Sequence, residues 1–225
     1  MDVFLVPVGI ERYELYCEHQ DHDVAPEEAP RGAAKRAIHT FREMLAEAER
    51  ERRKEPHERE RPRSLAARVK KRTMRWVAES IAGQRLLWQL RKRDAANLVH
   101  PDDLSDVHAR EILRRSLNAD FERHRFWLAI DSLLALGSVA LIVLPGPNVI
   151  GYYFLFRMVG HFLSVRGARN AMVKVAWSAQ QSAPLSALRP LIEVPSAERA
   201  ERVREVAVAL KLDHLTSFFQ RAATP

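Results

Sequence analysis

Cysteine is almost absent from this chain of 225 residues, since Cys17 is the only one. No intrachain disulfide can form, and we expect a reducing compartment. Glycine is also sparse: eight glycines are scattered along the chain, and none belongs to a GxGxxG or Walker phosphate-binding pattern. No Ser–His–Asp or paired-carboxylate arrangement stands out. We therefore expect a protein that is not an enzyme and that uses no cofactor.

Charge of one sign does not dominate either, because 36 basic and 29 acidic residues are interspersed and leave a net charge of +7. Such a basic balance suits anionic lipid headgroups or nucleic acid. The four tryptophans are interpreted as core or membrane-interface anchors rather than as a platform for stacked bases, so we expect no nucleic-acid partner. They are Trp76, Trp88, Trp127 and Trp177.

Targeting and metal-binding signals are weak at the amino end. The first residues have neither the features of a signal peptide nor the Arg- and Ser-rich character of a transit peptide, so we expect neither export nor import of a precursor. A group of side chains that could ligate zinc follows, but its spacing matches no named site and it lies in a polar stretch. We therefore expect no metal. The group comprises Cys17, His19, Asp21, His22 and Asp23.

A long apolar run occupies residues 126–156, where 31 residues contain one charge, Asp131. The run is broken by Pro145-Gly146-Pro147-Asn148, and neither proline can continue a helix. The arms 126–144 and 148–165 contain 19 and 18 residues, close to the roughly 20 that a membrane-spanning helix needs. Basic residues flank both arms and the turn has none. The positive-inside rule then predicts a membrane hairpin with both termini cytoplasmic.

Three polar residues within the arms are the candidate site. Asp131 lies 15 residues before Gly146 and His161 lies 15 after it, so the two are level in an antiparallel hairpin. Arg157 lies one turn before His161 on the same face. Because an aspartate in lipid is costly, we expect Asp131 to be paired. Three interpretations remain open: a proton-responsive or ion-conducting spot, a charge-neutralised pin between the arms, and residues that snorkel to the headgroups.

The remaining pattern predicts a mainly α protein with a small N-terminal β-hairpin. Helical periodicity is found at about 64–93, 101–125 and 166–183, and Ser196 and Asp213 are candidate caps of two further helices. The predicted organisation has five parts: a β-hairpin at 1–18, a linker plus charged helix at 19–63, cytoplasmic helices at 64–125, the membrane hairpin at 126–165 and a C-terminal helical region at 166–225.

Several stretches of the sequence carry a family resemblance, namely the opening strands, the apolar run that ends in a Pro-x-Pro-Asn turn and the helix after it. These stretches are VFLVPV at 3–8, YELYC at 13–17, LPGPN at 144–148, GYYFLFR at 151–157, His161, RGA at 166–168 and the element at 215–219. Together they resemble the mitochondrial potassium/proton exchange-related protein family, and this chain looks like a bacterial-type member.

The resemblance implies an integral membrane protein that is a component or regulator of potassium/proton exchange. Its expected partners are a bilayer with anionic headgroups, potassium ions and protons, and a second copy or another membrane protein. Its expected location is the cytoplasmic membrane of a bacterium or the mitochondrial inner membrane of a eukaryote. Two alternatives stay open: a membrane-associated scaffold that recruits partners, and a soluble helical protein with a buried central hairpin.

Overall fold

A four-stranded β-sheet lies at the centre of the structure, which is a computed structural model that describes residues 1–18, 84–138 and 149–223. The strand order is β2 (Arg12–Tyr16), β1 (Asp2–Gly9), β3 (Ala95–Pro101), β4 (Ala176–Ser182). Residues 84–90 are helical. The other elements follow in chain order: β1 Asp2–Gly9, β2 Arg12–Tyr16, β3 Ala95–Pro101, α1 Asp106–Ser138, α2 Val149–Val173, β4 Ala176–Ser182, α3 Ala183–Ser186, α4 Ser196–Leu210 and α5 Leu215–Ala222.

The first two strands form the predicted amino-terminal hairpin, which is confirmed. β1 and β2 pair antiparallel, and Glu11 in the connecting turn has a φ of 52°. β1 is rich in branched and aromatic residues that favour strands. All its residues except Asp2 are buried, because helices cover both faces of the sheet there. A hairpin of this size needs such packing to be stable in water.

The third and fourth strands correct the sequence prediction. β3 pairs parallel with β1, and β4 pairs parallel with β3 from Ala95↔Ala176 to Pro101↔Ser182. Pro101 therefore ends a strand instead of beginning a helix, and the helix predicted at 166–183 ends at Val173. The fold is mixed α/β, so the prediction of a mainly α fold is wrong. Neither strand has the alternating or β-branched pattern that identifies a strand by itself.

Two hydrophobic cores lie on the two faces of the sheet. Alternate side chains of β1 point to opposite faces, so Phe4 and Val6 join one core while Leu5 joins the other. The first core is completed by α3, α4, α5 and their connections, including Leu185, Val203 and Phe219. The second is completed by residues 86–90 and the sheet-proximal halves of α1 and α2, including Leu87, Leu90, Ala109, Leu113, Leu117 and Ala168.

The two long helices form the crossover that joins parallel strands β3 and β4, since parallel strands cannot be joined by a tight turn. α1 begins 20 residues before the apolar run and α2 continues to Val173. The described parts of the run, 126–138 and 149–156, therefore belong to the distal halves of two crossover helices. None of the helices in 84–138 and 149–223 combines the length and the apolar character that crossing a membrane requires. The predicted membrane hairpin at 126–165 is not supported.

Part of the predicted organisation lies outside the described residues. The chain divides into one unit of Met1–Glu18 with Leu86–Pro225 and a second unit of His19–Arg85. The linker and charged helix at 19–63, most of the helix at 64–93, and the turn Pro145, Gly146, Pro147 and Asn148 all fall outside.

The two predicted C-terminal helices are present, but their expected caps are not. Pro195 occupies the cap position of α4 and His214 that of α5, and neither makes a side-chain capping hydrogen bond. The hydroxyl of Ser196 instead donates to Gln220, which joins α4 to α5. Lys211 has a φ of 57° and ends α4 in the left-handed conformation.

Candidate functional site

Polar side chains line the contact between the distal halves of α1 and α2. The buried residues in the proximal half of α1 are apolar, whereas those in its distal half are His124, Asp131 and Ser138. Their spacing of seven residues corresponds to two helical turns and places them on one face. His161 and Ser164 are buried on α2. The helix pair therefore has a polar interior beyond the edge of the hydrophobic core.

Asp131 forms the centre of this interior and is fully buried. Its Oδ2 lies 3.2 Å from Nε of Arg157 and 3.4 Å from Nε2 of His161. Neither contact is an aligned hydrogen bond, and no donor among the described residues reaches either carboxylate oxygen with hydrogen-bond geometry. Because a buried unpaired carboxylate is strongly destabilising, the guanidinium of Arg157 is what compensates its charge. That guanidinium also lies over the ring of Trp127, 5.3 Å from its centroid.

A second histidine extends the cluster. Nδ1 of His124 lies 2.8 Å from Nδ1 of His161, and the ring centroids are 5.1 Å apart. Since each nitrogen is either a donor or an acceptor in a neutral ring, one ring donates and the other accepts. We call His124, Asp131, Arg157 and His161 the buried polar cluster.

Burial sets the protonation of both imidazoles. Burial first, and then the neighbouring His161 and Arg123, together lower the pKa of His124 to about 4. Burial also lowers the pKa of His161; Asp131 opposes this effect, while Arg157 and Arg123 add to it. Both rings are therefore neutral at pH 7, and a proton added to either one charges a ring that directly faces the other.

Contacts with residues 87–90 set the position of α2 along its own axis. A Cβ at Gly167 would lie 1.8 Å from the carbonyl oxygen of Leu87, so only glycine permits this approach. Nε1 of Trp88 donates to Oγ of Ser164 at 2.9 Å. Nδ2 of Asn170 donates to the carbonyl of Leu90 at 2.8 Å. These contacts hold the turns of α2 that follow His161 and thereby position the buried polar cluster.

The structure brings together the three residues singled out from the sequence. Asp131 contacts both Arg157 and His161, as the count from Gly146 predicted, and their chemical role stays a prediction. His124 was missed because it lies before the apolar run. The signal was available, since His124 precedes Asp131 by seven residues and so shares its helix face.

The amino-terminal group considered for zinc is only partly described. The thiol of Cys17 donates to Oε1 of Gln89 at 3.3 Å, and burial raises its pKa to about 11. A protonated, buried thiol is a poor metal ligand. Within residues 1–18, 84–138 and 149–223, no three His, Cys, Asp or Glu side chains are arranged to hold a metal ion.

Comparison with known proteins identifies the family. A family model described as mitochondrial K⁺–H⁺ exchange-related matches residues 2–173, from β1 to the end of α2, and so includes the whole buried polar cluster. The element at 215–219 lies beyond the match. No curated protein and no solved structure matches the chain. Because the family model covers most of the sequence, this chain belongs to the mitochondrial K⁺–H⁺ exchange-related family.

Proposed function

We propose that this chain is a proton-responsive component or regulator of potassium/proton exchange, and that the buried polar cluster is its proton-responsive site. Family membership supports the exchange role. The observation that carries the site is the contact chain from Asp131 through His161 to His124. Imidazole is the side chain whose ordinary pKa lies closest to neutral pH, and burial shifts the response of this pair toward acid, with the pKa of His124 at about 4.

The contacts define how hydrogen atoms are arranged in the neutral cluster. Asp131 can only accept when ionised, so Nε2 of His161 carries the hydrogen that faces it. Nδ1 of His161 then accepts from Nδ1 of His124. A proton that enters at Nε2 of His124 can pass its charge to His161 through the 2.8 Å contact between their Nδ1 atoms. Its passage on to Asp131, which lies 3.4 Å from Nε2 of His161, requires these two side chains to move into hydrogen-bond geometry. Three side chains thereby form a short proton relay.

Acid weakens the contact between the two helices. One added proton leaves an imidazolium that faces a neutral ring, but two place like charges at 2.8 Å beside the cations Arg157 and Arg123. The relay therefore works as a sensor: the neutral cluster favours closely packed distal helices, and the charged cluster favours their separation. The exchange partner is expected to respond to that difference.

Family membership supports a place of action at a membrane. We expect the chain to act beside the membrane where exchange occurs, the mitochondrial inner membrane in a eukaryote or the cytoplasmic membrane in a bacterium. Its expected ligands are protons at the buried polar cluster. Potassium is expected to be handled by the exchanger that the chain regulates, because Arg157 beside Asp131 disfavours a second cation there.

Potassium-dependent proton movement in membrane vesicles tests the proposal. Vesicles from cells that express the full chain should dissipate a preformed pH gradient faster on addition of K⁺ than vesicles from cells without it, as a pH-sensitive dye would record. His161→Gln should change the pH at which half of this effect is reached. His108→Gln, which alters an exposed histidine of α1 outside the cluster, should behave like wild type. No effect of the wild-type chain on K⁺-driven proton movement would contradict an exchange role.

A second variant separates proton sensing from structural pinning. Replacement of Asp131 and Arg157 together by leucine removes the charged pair and keeps the interior filled, which is often neutral for stability. If the cluster senses protons, this folded variant should lose the pH response of exchange. Normal, pH-dependent exchange by the double variant would assign the pair a purely structural role.

A further inference from the structure

Exposed apolar side chains are concentrated around the distal halves of the two long helices. Among the described residues eleven large apolar residues are exposed, and seven of them lie here, whereas the other four are scattered over the rest of the structure. Such a concentration marks an interaction surface. We call these seven residues the distal apolar surface: Phe126, Trp127, Leu133, Leu134 and Leu136 on α1, and Val159 and Phe162 on α2.

The apolar side chains of α1 are not confined to one stripe. Trp127 and Leu136 are nine residues apart, or about two and a half turns, so they lie on opposite sides of the helix. Phe126 and Leu133 lie between them on the side turned away from α2. A helix that packs on a protein partner has an apolar stripe of about 100°, whereas this one is apolar over about half of its circumference. A fluid lipid phase contacts every exposed side of a helix, and so it fits this surface better than a folded partner does.

The distal apolar surface begins at the same level on both helices. Its first members are Phe126 on α1 and Phe162 on α2, and each lies within two residues of the contact between the two histidines of the buried polar cluster. Beyond this level the described parts of both helices carry no charged residue except the pair Asp131 and Arg157. The border between charged and apolar surface therefore runs straight across the helix pair.

Arginines lie on the charged side of this border. Arg123 precedes Phe126 by three residues and Arg166 follows Phe162 by four, so each is about one helical turn from the border. Both are exposed, and no carboxylate among the described residues forms an ion pair with either of them. A bilayer has the complementary order, because its hydrocarbon is bordered by headgroups that attract arginine when they are anionic.

We propose that the distal ends of α1 and α2 dock on a bilayer with anionic headgroups, where the distal apolar surface enters the acyl region and Arg123 and Arg166 contact the headgroups. The described apolar part of α1, residues 126–138, contains 13 residues and is about 20 Å long, against roughly 30 Å of hydrocarbon in a bilayer. The chain thus lies on the membrane and reaches into it without crossing it. This docking rests on the membrane location in the proposed function, but not on the proton response.

Flotation of the full chain with vesicles tests the docking. Wild type should float with vesicles of phosphatidylcholine and phosphatidylglycerol in equal parts, and less with phosphatidylcholine alone. Leu133→Glu should weaken the binding by about tenfold or more, because a carboxylate is costly in the acyl region. Val208→Glu, which alters an apolar residue of similar exposure on α4 (73% against 70%), should bind like wild type. A wild-type chain that does not float, or a folded Leu133→Glu variant that floats normally, would overturn the proposal.

Charge-removing variants test the contact with the headgroups. Arg123→Gln and Arg166→Gln should each weaken binding to the anionic vesicles by about fivefold. Arg202→Gln removes an exposed arginine of α4 and serves as the matched control, with binding like that of wild type. Equal binding by all three folded variants would contradict the role of anionic headgroups.

Fluorescent labels test whether both helices enter the lipid. In a Cys17→Ser background, an environment-sensitive fluorophore on Leu133→Cys or Val159→Cys should shift to shorter wavelength when the anionic vesicles are added, and a label on Val208→Cys should not. A shift at only one of the first two positions would contradict the docking of both helices. Dimers in solution with no shift on vesicles would assign the surface to a second copy and refute the proposal.

These binding assays contain neither an exchanger nor a pH gradient. Their failure is therefore distinct from failure of the proposed function, which is measured as K⁺-driven proton movement. Vesicle binding by a chain that has no effect on exchange would support the docking and contradict the exchange role alone.

Discussion

Two neutral histidines in contact make the distal helix pair sensitive to acid. The folded state holds the pKa of His124 at about 4, below its ordinary value of 6.5, and that of His161 is lowered too. The unfolded chain therefore binds more protons than the folded chain between these values. Stability must fall as the pH drops through this window, and this consequence can be measured without any knowledge of the exchange partner.

Unfolding at different pH values tests the histidine pair. The free energy of unfolding in urea should be greatest above pH 6.5 and fall as the pH decreases toward 4, by an amount on the order of 3 kcal/mol for His124. His124→Gln should flatten this part of the profile, and His108→Gln should retain it. A profile for His124→Gln that parallels wild type would place the acid sensitivity elsewhere.

A double-mutant cycle on Asp131 and Arg157 measures the coupling energy between these two oppositely charged side chains. Asp131→Leu alone leaves a partly buried guanidinium without its anion, and Arg157→Leu alone leaves a buried carboxylate without its cation. Each should lower the free energy of unfolding by about 3–5 kcal/mol. The double variant should recover most of the loss. Additive losses would show that the 3.2 Å contact contributes no coupling.

At the scale of single elements, glycine is required for packing in one of the two long helices and not in the other. Gly167 in α2 contacts the backbone of Leu87, whereas at Gly137, in the last turn of α1, an added Cβ would meet nothing within 4 Å among the described residues. The first position therefore requires glycine for packing within the chain, and the second does not. The same substitution distinguishes the two cases.

Gly167→Ala and Gly137→Ala form a matched pair. Gly167→Ala must displace the helical segment at Leu87 and should destabilise the protein by about 2 kcal/mol or more. Gly137→Ala should leave stability unchanged or raise it by up to about 1 kcal/mol, because alanine favours a helix. Thermal unfolding by circular dichroism measures both. Equal stability of the two variants would contradict the described approach of α2 to segment 84–90.

Some elements could be predicted from the sequence because residues that are close together along the chain determine them. The β1–β2 hairpin follows from two short β-like runs around a tight turn, and the contact of Asp131 with His161 follows from counting residues along helices of constant rise. Strands β3 and β4 could not be found in this way. Their pairing joins Ala95 to Ala176 across 81 positions, and their polar or alanine-rich sequences become strands only because that pairing satisfies their backbone groups.

The same limit explains the error over the apolar run. Hydropathy identified 126–156 as unusually apolar but could not show that its two parts continue helices that begin at Asp106 and end at Val173. Those helices are divided between a hydrophobic core at the sheet and a polar interior beyond it. Phe126 and Leu133 are exposed on the outside of the helix pair, and Asp131 is tolerated inside it because Arg157 compensates its charge.

At the scale of the whole molecule, the sheet needs a helical layer on each face. One layer lies within the family match at 2–173, but α3, α4 and α5 lie beyond it. These helices cover Phe4, Val6 and Val8, and the residues after 173 also supply β4, which pairs along the whole of β3. The part of the chain that carries the family signature is thus not a complete folding unit.

Truncation tests this dependence. A chain that ends at residue 173 loses β4 and exposes one face of β1, so it should fail to give a cooperative unfolding transition and should aggregate, because an apolar sheet face and an unpaired strand edge become accessible. Phe219→Ala is a milder perturbation, because it opens a cavity in the same core without removing a whole layer. It should lower the free energy of unfolding by about 3–5 kcal/mol. Phe162→Ala, on a half-exposed ring of α2, should cost far less. Cooperative unfolding of the truncated chain at wild-type stability would mean that the two helical layers fold independently. In that case the 2–173 segment alone would account for the acid sensitivity of the buried polar cluster.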